Sequence, residues 1–255
     1  KLIDINPDYF IISTITSDHI SKIKFIEKNF KNKIILVEKP LFKKYLNYKP
    51  KKNLYFVNYN LRFNPALVFL KNYLRRQNFF HAYIKCTSYL PDWRKNTNYI
   101  KSYSSSKKLG GGVLLDLSHE LDYSNWLFGK SRIISAVNKK ISNLNIKSDD
   151  YLSVILKNNK KLFINLDINF FSKHTERSIT LTGDKQSINI DLINKKINFA
   201  GKKFKNITLK KINSDYTYEK THLSILNSKF QKLCTYDEGI KTMRLIDEIK
   251  RKCLK

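Results

Sequence analysis

The sequence IILVEKP, at residues 34–40, sets the fold class of this chain. An uninterrupted run of aliphatic residues predicts a strand that is buried on both faces, as in a parallel sheet. The run ends at Glu38 and Lys39, and Pro40 restricts Lys39 to extended backbone conformations. We therefore expect Lys39 at the carboxyl end of a buried strand, which is the edge of an open α/β sheet where ligands bind.

A second strand and a helix precede this run. Residues 9–14, YFIIST, have the same apolar character, and residues 17–30 follow as an amphipathic helix. Ile20, Ile23 and Ile26 lie at helical spacing along that helix. Strand, helix and strand joined by short connections predict a βαβ unit, and therefore a doubly wound α/β domain.

A glycine-rich motif, GGGVLLDLSHELDYSNWLFG, occupies residues 110–129. Glycines let backbone approach a ligand closely because they lack a Cβ atom. A continuous helix after the glycines would place Asp116, His119, Glu120 and Tyr123 on one face. Glycine runs also form simple turns, and a single helical histidine is often a structural residue. The combination of glycines with an ionisable face favours a functional site.

Three motifs in this order carry a family resemblance: EKP after the strand, VNYNLRFNP at residues 57–65, and GGGVLLDLSHELD from Gly110. Together they resemble the glucose–fructose oxidoreductase and inositol dehydrogenase-like (Gfo/Idh/MocA) family, over nearly the whole chain. The resemblance implies a dinucleotide-binding domain followed by an α+β domain with a large, mostly antiparallel sheet. It also implies hydride transfer between NAD or NADP and a hydroxyl or keto carbon of a sugar, polyol or sugar derivative.

One feature of the family is missing from this chain. Family members begin with a strand, a G-x-G-x-x-G turn and a helix that bind pyrophosphate, and no such turn occurs here. We therefore expect a partial Rossmann-type parallel sheet, without about the first 60 residues of a family member. The residues that select NAD or NADP would belong to that missing part.

The resemblance also implies a division of the chain into two domains. Residues 1–61 would be the C-terminal part of the dinucleotide-binding domain, and residues 62–255 the substrate and oligomerisation domain. A final amphipathic helix at residues 237–252 is expected to pack back on the first domain.

The resemblance assigns catalytic roles to Lys39, His119 and Asp116. His119 would take the hydroxyl proton, since histidine titrates near neutral pH. Lys39 would hydrogen-bond the reacting hydroxyl beside the nicotinamide ribose and favour the developing alkoxide, so both residues would contact substrate. The family commonly places a carboxylate four residues before the histidine, whereas Asp116 precedes His119 by three. Glu120 and Asp122 are the alternatives, and we expect Glu120 to be solvated and Asp122 to be a buried structural acid.

Further residues are implied on the nicotinamide side of the cofactor: Ser13, Thr14, His19, Glu38, Lys39 and Arg62. His19 has a second interpretation as part of the cap of the helix that begins after Asp18. Arg62, at the junction of the two expected domains, has an equally good structural interpretation.

A long connection at residues 91–109 precedes the glycines. Loops of this length inside a domain are commonly functional or disordered. Trp93, Arg94, Tyr99 and Tyr103 lie in this loop and are expected to line a carbohydrate pocket. The alternative is that Trp93 only fastens the loop to the surface.

The second half of the chain predicts mostly strands. Period-2 patterns indicate strands at residues 81–90, 161–169, 178–182, 187–192 and 206–210. Gly183 and Asp184 predict a hairpin turn, and residues 64–76 predict a helix between the domains. A sheet with one dry face and one polar face suits an antiparallel platform, and the resemblance implies homo-oligomers formed through it.

The charge of the chain raises the question of a polyanionic partner. The net charge is +28, from 49 Lys and Arg against 21 Asp and Glu, which ordinarily indicates nucleic acid or an anionic surface. Only eight of the basic residues are Arg, and the lysines are scattered through every segment without a nucleic-acid-binding motif. We therefore expect no specific nucleic-acid partner and only weak, salt-dependent binding of polyanions.

The cysteines and the hydropathy of the chain indicate its cellular environment. The three cysteines lack metal-ligand spacing, which predicts a reduced, cytoplasmic setting and no metal site. No apolar run of about 18 residues predicts a transmembrane helix.

Three functional classes remain. An NAD(P)-dependent sugar or polyol oxidoreductase is favoured over an inactive relic or binding and assembly subunit of the same family. A basic nucleic-acid-binding protein is disfavoured.

Overall fold

The structure is a computed structural model that describes residues 2–201, 206–209, 213 and 215–254. A first sheet of four strands has the order β1, β2, β3, β12, where β1 is Tyr9–Ile12, β2 Ile34–Val37, β3 Leu54–Val57 and β12 Cys234–Thr235. The first three strands are parallel, with Ile12, Val37 and Val57 in register, and β12 is antiparallel to β3. The carboxyl ends of the three parallel strands therefore meet at one edge, and the predicted Rossmann-type sheet is confirmed.

Helices flank this sheet. Helix α1 spans Leu2–Ile5, and α2 spans His19–Asn29 between β1 and β2, which completes the predicted βαβ unit. The side chains of β2 point alternately to two apolar clusters, as expected for a strand with both faces covered. Ile35 and Val37 contribute to the larger cluster, and Leu36 to a smaller one.

The second sheet has eight strands in the order β11, β10, β9, β8, β4, β7, β6, β5. Only the pair of β4 and β7 is parallel. The bounds are β4 His81–Tyr89, β5 Ser131–Lys139, β6 Tyr151–Asn158, β7 Phe163–Asn169, β8 Phe171–Thr182, β9 Ser187–Asp191, β10 Lys196–Ala200 and β11 Ile207–Thr208. The large, mostly antiparallel sheet is therefore confirmed.

Most of the predicted strands occur, with some differences in their ends. The strand predicted at residues 178–182 is the last part of the longer β8, and the turn after it follows Gly183, whose N–H donates to the carbonyl of Gln186. The strand predicted at residues 206–210 is observed as β11, and Lys210 lies outside the described residues. Strands β5, β6 and β10 were not predicted.

The remaining helices are α3 Pro65–Tyr73, α4 Val113–Asp116, α5 His119–Phe128, α6 Tyr216–Leu226 and α7 Tyr236–Lys252. Of these, α4 contacts β6 and β7 of the second sheet, α6 packs on the first sheet, and α7 contacts strands of both. Short 3-10 turns occupy Thr16–Asp18, Asn60–Phe63, Leu74–Arg76, Leu90–Asp92, Tyr99–Lys101, Tyr103–Ser105, Lys107–Leu109 and Phe230–Lys232.

The expectation of one continuous helix through the glycine-rich motif is wrong. The helix is interrupted at Leu117, whose ψ of 31° leaves the helical region, so Asp116 and His119 belong to different helices. The start of α4 is fixed by Asp149, because the N–H of Val113 donates to its carbonyl and the N–H of Leu114 to its carboxylate. Helix α5 is anchored elsewhere, through the two ion pairs described below.

Helix α7 contacts both sheets. The hydroxyl of Tyr236 donates to the carbonyl of Tyr48 at 2.7 Å, and Gly239 lies so close to Val57 that a Cβ atom there would be only 2.5 Å from its Cγ2. A capping box of Thr235 and Glu238 defines the start of the helix. Apolar residues of both sheets and of α7 form one continuous core.

Candidate active site

Lys39 connects the two sheets at the carboxyl end of β2. Its Nζ donates to the backbone carbonyl of Asp116 at 2.5 Å, and the peptide bond between Lys39 and Pro40 is cis. The ammonium group is partly buried, and this desolvation lowers the pKa of Lys39, although the charges of Asp116 and Glu38 oppose the shift. Lys39, at the carboxyl edge of the first sheet, therefore contacts the glycine-rich motif.

His119 begins helix α5 beside this lysine. The imidazole ring meets the ring of Tyr59 edge-on, at 5.5 Å between centroids, and its buried Nδ1 has no hydrogen-bond partner among the described residues. Burial lowers the pKa of His119 well below its ordinary value, and the positive charges of Lys39 and Arg177 lower it further. The ring is therefore neutral at neutral pH and has a lone pair available to accept a proton.

Asp116, the last residue of α4, is buried, and neither carboxylate oxygen has a hydrogen-bond partner among the described residues. Burial raises the pKa of Asp116, and the neighbouring Lys39, Tyr103 and Ser104 offset part of this shift. Because a break separates α4 from α5, the spacing of Asp116 and His119 does not translate into a fixed rotation around one helix.

Glu120 is not solvated as expected. Its side chain is fully buried, and the Nε of Arg177 donates to its Oε1 at 2.7 Å. Arg177 lies on β8 opposite Cys86 of β4, at the position that precedes the core residues Ile179 and Leu181 on the same face. Sequence reasoning missed Arg177. The available signal was its position just before the predicted strand at residues 178–182, in phase with the inward-facing Ile179 and Leu181.

Asp122 is a buried structural acid, as expected. The guanidinium of Arg62 binds it through two hydrogen bonds of 2.9 and 2.8 Å, and also donates to Glu238 and to the carbonyl of Leu233. This changes the interpretation of Arg62. Its donors are engaged inside the protein, so we no longer assign it to the cofactor.

The other residues implied on the nicotinamide side lie around the carboxyl edge of the first sheet. Ser13 and Thr14 are exposed just after β1, and Glu38 accepts a hydrogen bond of 2.6 Å from Asn58. His19 differs from the expectation, because it is buried with its ring nitrogens 3.2 Å from the carbonyl oxygen of Leu41 and 3.1 Å from that of Thr14. His19 therefore links the loop that contains Thr14 to the loop that contains Leu41.

The loop at residues 91–109 is held to the second sheet by its own side chains. Trp93 packs edge-on against Phe170, at 4.9 Å between centroids, and its Nε1 donates to Ser88. The Arg94 guanidinium lies 5.9 Å from the ring centroid of Tyr103, which is the loop residue beside Asp116. The Tyr99 hydroxyl accepts a hydrogen bond from the N–H of Asn145. Trp93 thus fastens the loop, whereas Tyr103 reaches the site.

The glycines allow close approach of protein atoms. A Cβ atom at Gly111 would overlap the carbonyl of Tyr103, and one at Gly112, with φ of +113°, would overlap the carboxylate of Asp149. Gly110 lies against Thr16, which is in the turn between β1 and α2. The expectation that these glycines make room for a ligand is replaced by a structural role: they seat α4, and with it Asp116, against its neighbours.

The described residues contain neither a metal-binding group nor a membrane-spanning helix. No group of His, Cys, Asp and Glu side chains among them has the arrangement of a metal site. None of the helices in this part of the chain is both long enough and apolar enough to span a membrane.

The fold is similar to several solved dehydrogenase structures. Levoglucosan dehydrogenase in complex with NADH matches with a TM-score of 0.83 at 16% identity, over 100% of this chain and 81% of that chain. An oxidoreductase from Thermotoga maritima matches with a TM-score of 0.79 at 19% identity, over 99% and 78%. The WlbA dehydrogenase from Bordetella pertussis, in complex with NADH and UDP-GlcNAcA, matches with 0.76 at 15% identity, over 99% and 79%. At these identities the likeness shows the fold.

The sequence itself provides the family assignment. No curated protein matches the chain significantly. Residues 82–254, more than half of the chain, match the model of the C-terminal α/β domain of an oxidoreductase family, Gfo/Idh/MocA. These residues include the glycine-rich motif, His119 and all of the second sheet except His81. The chain belongs to the Gfo/Idh/MocA oxidoreductase family.

Proposed function

We propose that this chain is the substrate-binding and catalytic part of an NAD(P)-dependent oxidoreductase that acts on a hydroxyl or keto carbon of a sugar, polyol or sugar derivative. The observation that carries the proposal is the convergence of Lys39 and a neutral His119 at one sheet edge, beside buried polar atoms without partners. Buried polar groups in native proteins are nearly always paired, so we infer that a ligand completes the unpaired ones beside Lys39.

The residues present fit the nicotinamide end of a dinucleotide. Ser13, Thr14, Glu38 and Lys39 lie at the carboxyl ends of parallel strands, where open α/β sheets bind nucleotides. When bound, the nicotinamide ring accepts or donates the hydride of the reaction. The solved structures with NADH share this fold, which supports the cofactor class. The choice between NAD and NADP is open.

His119 is proposed as the general base for alcohol oxidation. Its depressed pKa keeps the imidazole unprotonated at neutral pH, so it can accept the hydroxyl proton, and in the reverse direction it returns that proton. The edge-on contact with Tyr59 and the start of α5 fix the position of the ring.

Lys39 is proposed to hydrogen-bond the reacting hydroxyl and to stabilise its developing negative charge. Its hydrogen bond to the carbonyl of Asp116 uses one of three N–H donors, so two remain for ligands. Asp116 is proposed to tune these two groups by its proximity. Its charge opposes the burial that lowers the pKa of Lys39.

The carbohydrate class of substrate rests on the solved relatives, whose ligands include levoglucosan and UDP-GlcNAcA. We propose that Tyr103, and next to it Arg94, line the same cleft. Trp93 and Tyr99 are proposed to shape the loop that carries Tyr103.

The test uses the full-length protein with levoglucosan, UDP-GlcNAc and UDP-GlcNAcA as probes, and each with NAD and NADP. We expect His119→Ala to lower turnover about 10²- to 10⁴-fold, the usual contribution of a general base, with dinucleotide affinity nearly unchanged. Lys39→Ala should impair both turnover and dinucleotide binding. The matched control is His81→Ala, at the far end of β4, which should leave both unchanged.

Two outcomes would contradict the proposal. A His119→Ala protein that turns over at the parental rate removes His119 from the mechanism. A parental protein that binds neither dinucleotide nor any sugar probe supports the second class, an inactive relic or an assembly subunit.

We also propose that the open face of the second sheet joins copies of this chain. The inner face of β6 is buried at Leu152, Val154 and Leu156, whereas the alternating residues on the other face are only partly covered. Charged pairs such as Lys85 and Glu176 lie on that face. Sedimentation velocity should show an oligomer that dissociates when Ile155, on the same face, is replaced by Asp.

A further inference from the structure

A second concave site lies between helices α5 and α7, away from the proposed active site. It is a cavity of about 410 Å³, and its walls come from the end of α5, the turn into β5 and one face of α7. Lys39, Asp116 and His119 do not line it. His119 begins α5, whereas Trp126 of the wall lies roughly 10 Å further along the helix axis. This space, here called the α5–α7 cavity, is therefore a separate site.

The floor of the α5–α7 cavity is built from buried, well-anchored side chains. Arg62 lines it with a side chain that is only 3% exposed, and Asp122 and Glu238 bind its guanidinium. The Cζ of Arg62 lies 5.8 Å from the ring centroid of Trp126, and the Nζ of Lys71 lies 5.1 Å from the same centroid. Lys71 also donates to the carbonyl of Trp126. The half-buried indole is therefore held in a fixed position.

The wall of the cavity has hydrogen-bond donors that the protein does not use. Within the described residues, the indole N–H of Trp126 and the ammonium groups of Lys130 and Lys241 have no acceptor. Arg244 is oriented by the ring of Tyr45, with 5.1 Å between its Cζ and the ring centroid, and this contact uses none of its N–H donors. Donors on charged side chains are suited to the oxygens of a carboxylate or phosphate.

The remaining groups of the wall favour an organic anion. Arg62 and Glu238 bind each other, so the other charged side chains are one glutamate, Glu248, and the three cations named above. The apolar part of the wall consists of the indole of Trp126 and the side chain of Leu245. Sites for small molecules typically have about 300–1,000 Å³ and combine an apolar wall with a few polar groups. The cavity has this size and this composition.

We propose that the α5–α7 cavity binds a small organic anion, with a carboxylate or phosphate group on a planar aromatic body. The anionic oxygens bind Lys241, Arg244 and the indole N–H, and the body lies against Trp126 and Leu245. Carboxylates and phosphates share this chemistry, and the probes below distinguish them. The inference goes beyond the proposed function and does not depend on it.

The experiment uses the two tryptophans of the chain. Trp126 lines the cavity, whereas Trp93 does not, and the Nε1 of Trp93 donates to Ser88. The two indole N–H signals of the isotope-labelled protein are assigned with Trp93→Phe and then followed by NMR during titration. The anionic probes are benzoate and phenyl phosphate. Benzyl alcohol is the probe without a charge, and inorganic phosphate is the probe without an aromatic body.

We expect at least one anionic probe to shift the Trp126 signal to saturation and to leave the Trp93 signal unchanged. Benzyl alcohol and inorganic phosphate should bind at least about tenfold more weakly, because each lacks one part of the interaction. The anionic probe with the higher affinity identifies the group that the cavity recognises.

The test variant is the double substitution Lys241→Gln and Arg244→Gln, which removes two exposed cations of the wall. Its affinity for the anionic probe should fall about 10- to 100-fold, the usual effect of losing hydrogen bonds to charged groups. The matched control is Arg251→Gln with Lys252→Gln, which removes two exposed cations from the last turn of α7, outside the cavity. Salt screens charges at that distance, so a change of less than about threefold is expected. Urea unfolding establishes that each variant is folded.

Several results would overturn the inference. If neither anionic probe shifts the Trp126 signal, or if both indole signals shift alike, the cavity is not the site. Equal affinity for benzyl alcohol would show that the cavity selects apolar bodies, and equal affinity for inorganic phosphate would show an adventitious ion only. Equal losses in the two double variants would show an effect of net charge. Turnover is not measured in this experiment, so a failure here leaves the roles of Lys39 and His119 untouched.

Discussion

Helix α5 contributes one residue to each of two groups of ionisable residues, Asp122 to the first and His119 to the second. The first, here called the junction pair, is the ion pair of Arg62 with Asp122, in which Arg62 also binds Glu238. The second, the cleft group, consists of Asp116, His119 and Lys39. In the cleft group both carboxylate oxygens of Asp116 and the Nδ1 of His119 lack partners within the described structure.

The difference separates a structural role from a functional one at nearly the same burial. In the junction pair, hydrogen bonds to both carboxylate oxygens offset part of the desolvation of Arg62 and Asp122, although burial still raises the pKa of Asp122. In the cleft group Asp116 has only the charge of Lys39 and the side chains of Tyr103 and Ser104 as partial compensation, so the folded protein holds polar atoms at a free-energy cost. Functional sites commonly retain such a cost because the missing partners are supplied by a ligand.

The junction pair should have the largest effect on stability. Arg62→Met leaves Asp122 buried without its partner, and we expect a loss of about 3–5 kcal/mol in the free energy of unfolding. Urea denaturation measures it. The control Lys85→Gln breaks an exposed ion pair and should cost no more than about 1 kcal/mol. Equal losses in the two variants would mean that Arg62 is not the anchor of α5.

Two glycines at the two ends of the glycine-rich motif provide the next comparison. Gly112→Ala combines a φ of +113° with overlap between the new Cβ and the Asp149 carboxylate that caps α4. We expect a loss of about 2–4 kcal/mol. Gly129→Ala has φ of +79° but no atom within 4 Å of the new Cβ, so backbone strain alone, about 1–3 kcal/mol, is expected. Thermal unfolding of both variants tests whether the steric overlap at Gly112 adds a loss of stability beyond the backbone strain that both variants share.

These comparisons also show how much of the fold and of the candidate site the sequence could predict. The position of Lys39 was predictable because a buried apolar run and a proline define the strand end locally. His119 was predictable from the glycine-rich motif and the family resemblance. Both depend on short-range patterns, and both residues lie where the patterns indicate.

The partners of the buried charges were not predictable in the same way. Glu120 reads as a solvated helical residue until Arg177, 57 positions later in the chain, is brought against it by β8. Likewise, Arg62 lies in a motif near the cofactor edge, but Asp122 lies 60 positions away and Glu238 176 positions away. The break at Leu117 was hidden for a related reason, because α4 and α5 are held by different distant residues.

The cleft group should respond to neutralisation in the opposite direction to the junction pair. Because the pKa of Asp116 is raised in the folded protein, its carboxyl group favours folding at low pH and this stability is lost as pH rises through the folded pKa. Asp116→Asn should therefore raise the free energy of unfolding at pH 7, because the neutral amide avoids the desolvation of a buried carboxylate anion. At a pH below the ordinary aspartate pKa the two proteins should be equally stable. Urea titrations at both pH values test the sign, and destabilisation at pH 7 would show that the carboxylate is satisfied.

The smallest effect concerns the coupling within the cleft group, and it can be measured without substrate. Burial is the larger cause of the low pKa of His119, and the charge of Lys39 is the next. Lys39→Met removes that charge, so the pKa of His119 should rise because the imidazolium no longer faces a neighbouring cation. It should still remain below the ordinary histidine value, since the desolvation is unchanged.

Imidazole resonances followed by NMR through the pH range measure this titration in the folded protein. The matched control is Lys43→Met, which removes an exposed lysine from the same loop, with its Nζ 3.5 Å from the carbonyl oxygen of Lys108. It should leave the midpoint of His119 unchanged. A midpoint at the ordinary histidine value in Lys39→Met would mean that the imidazole is open to solvent. No shift at all would mean that the ammonium group and the imidazole do not face the same space, and the distinction between the cleft group and the junction pair would then rest on Asp116 alone.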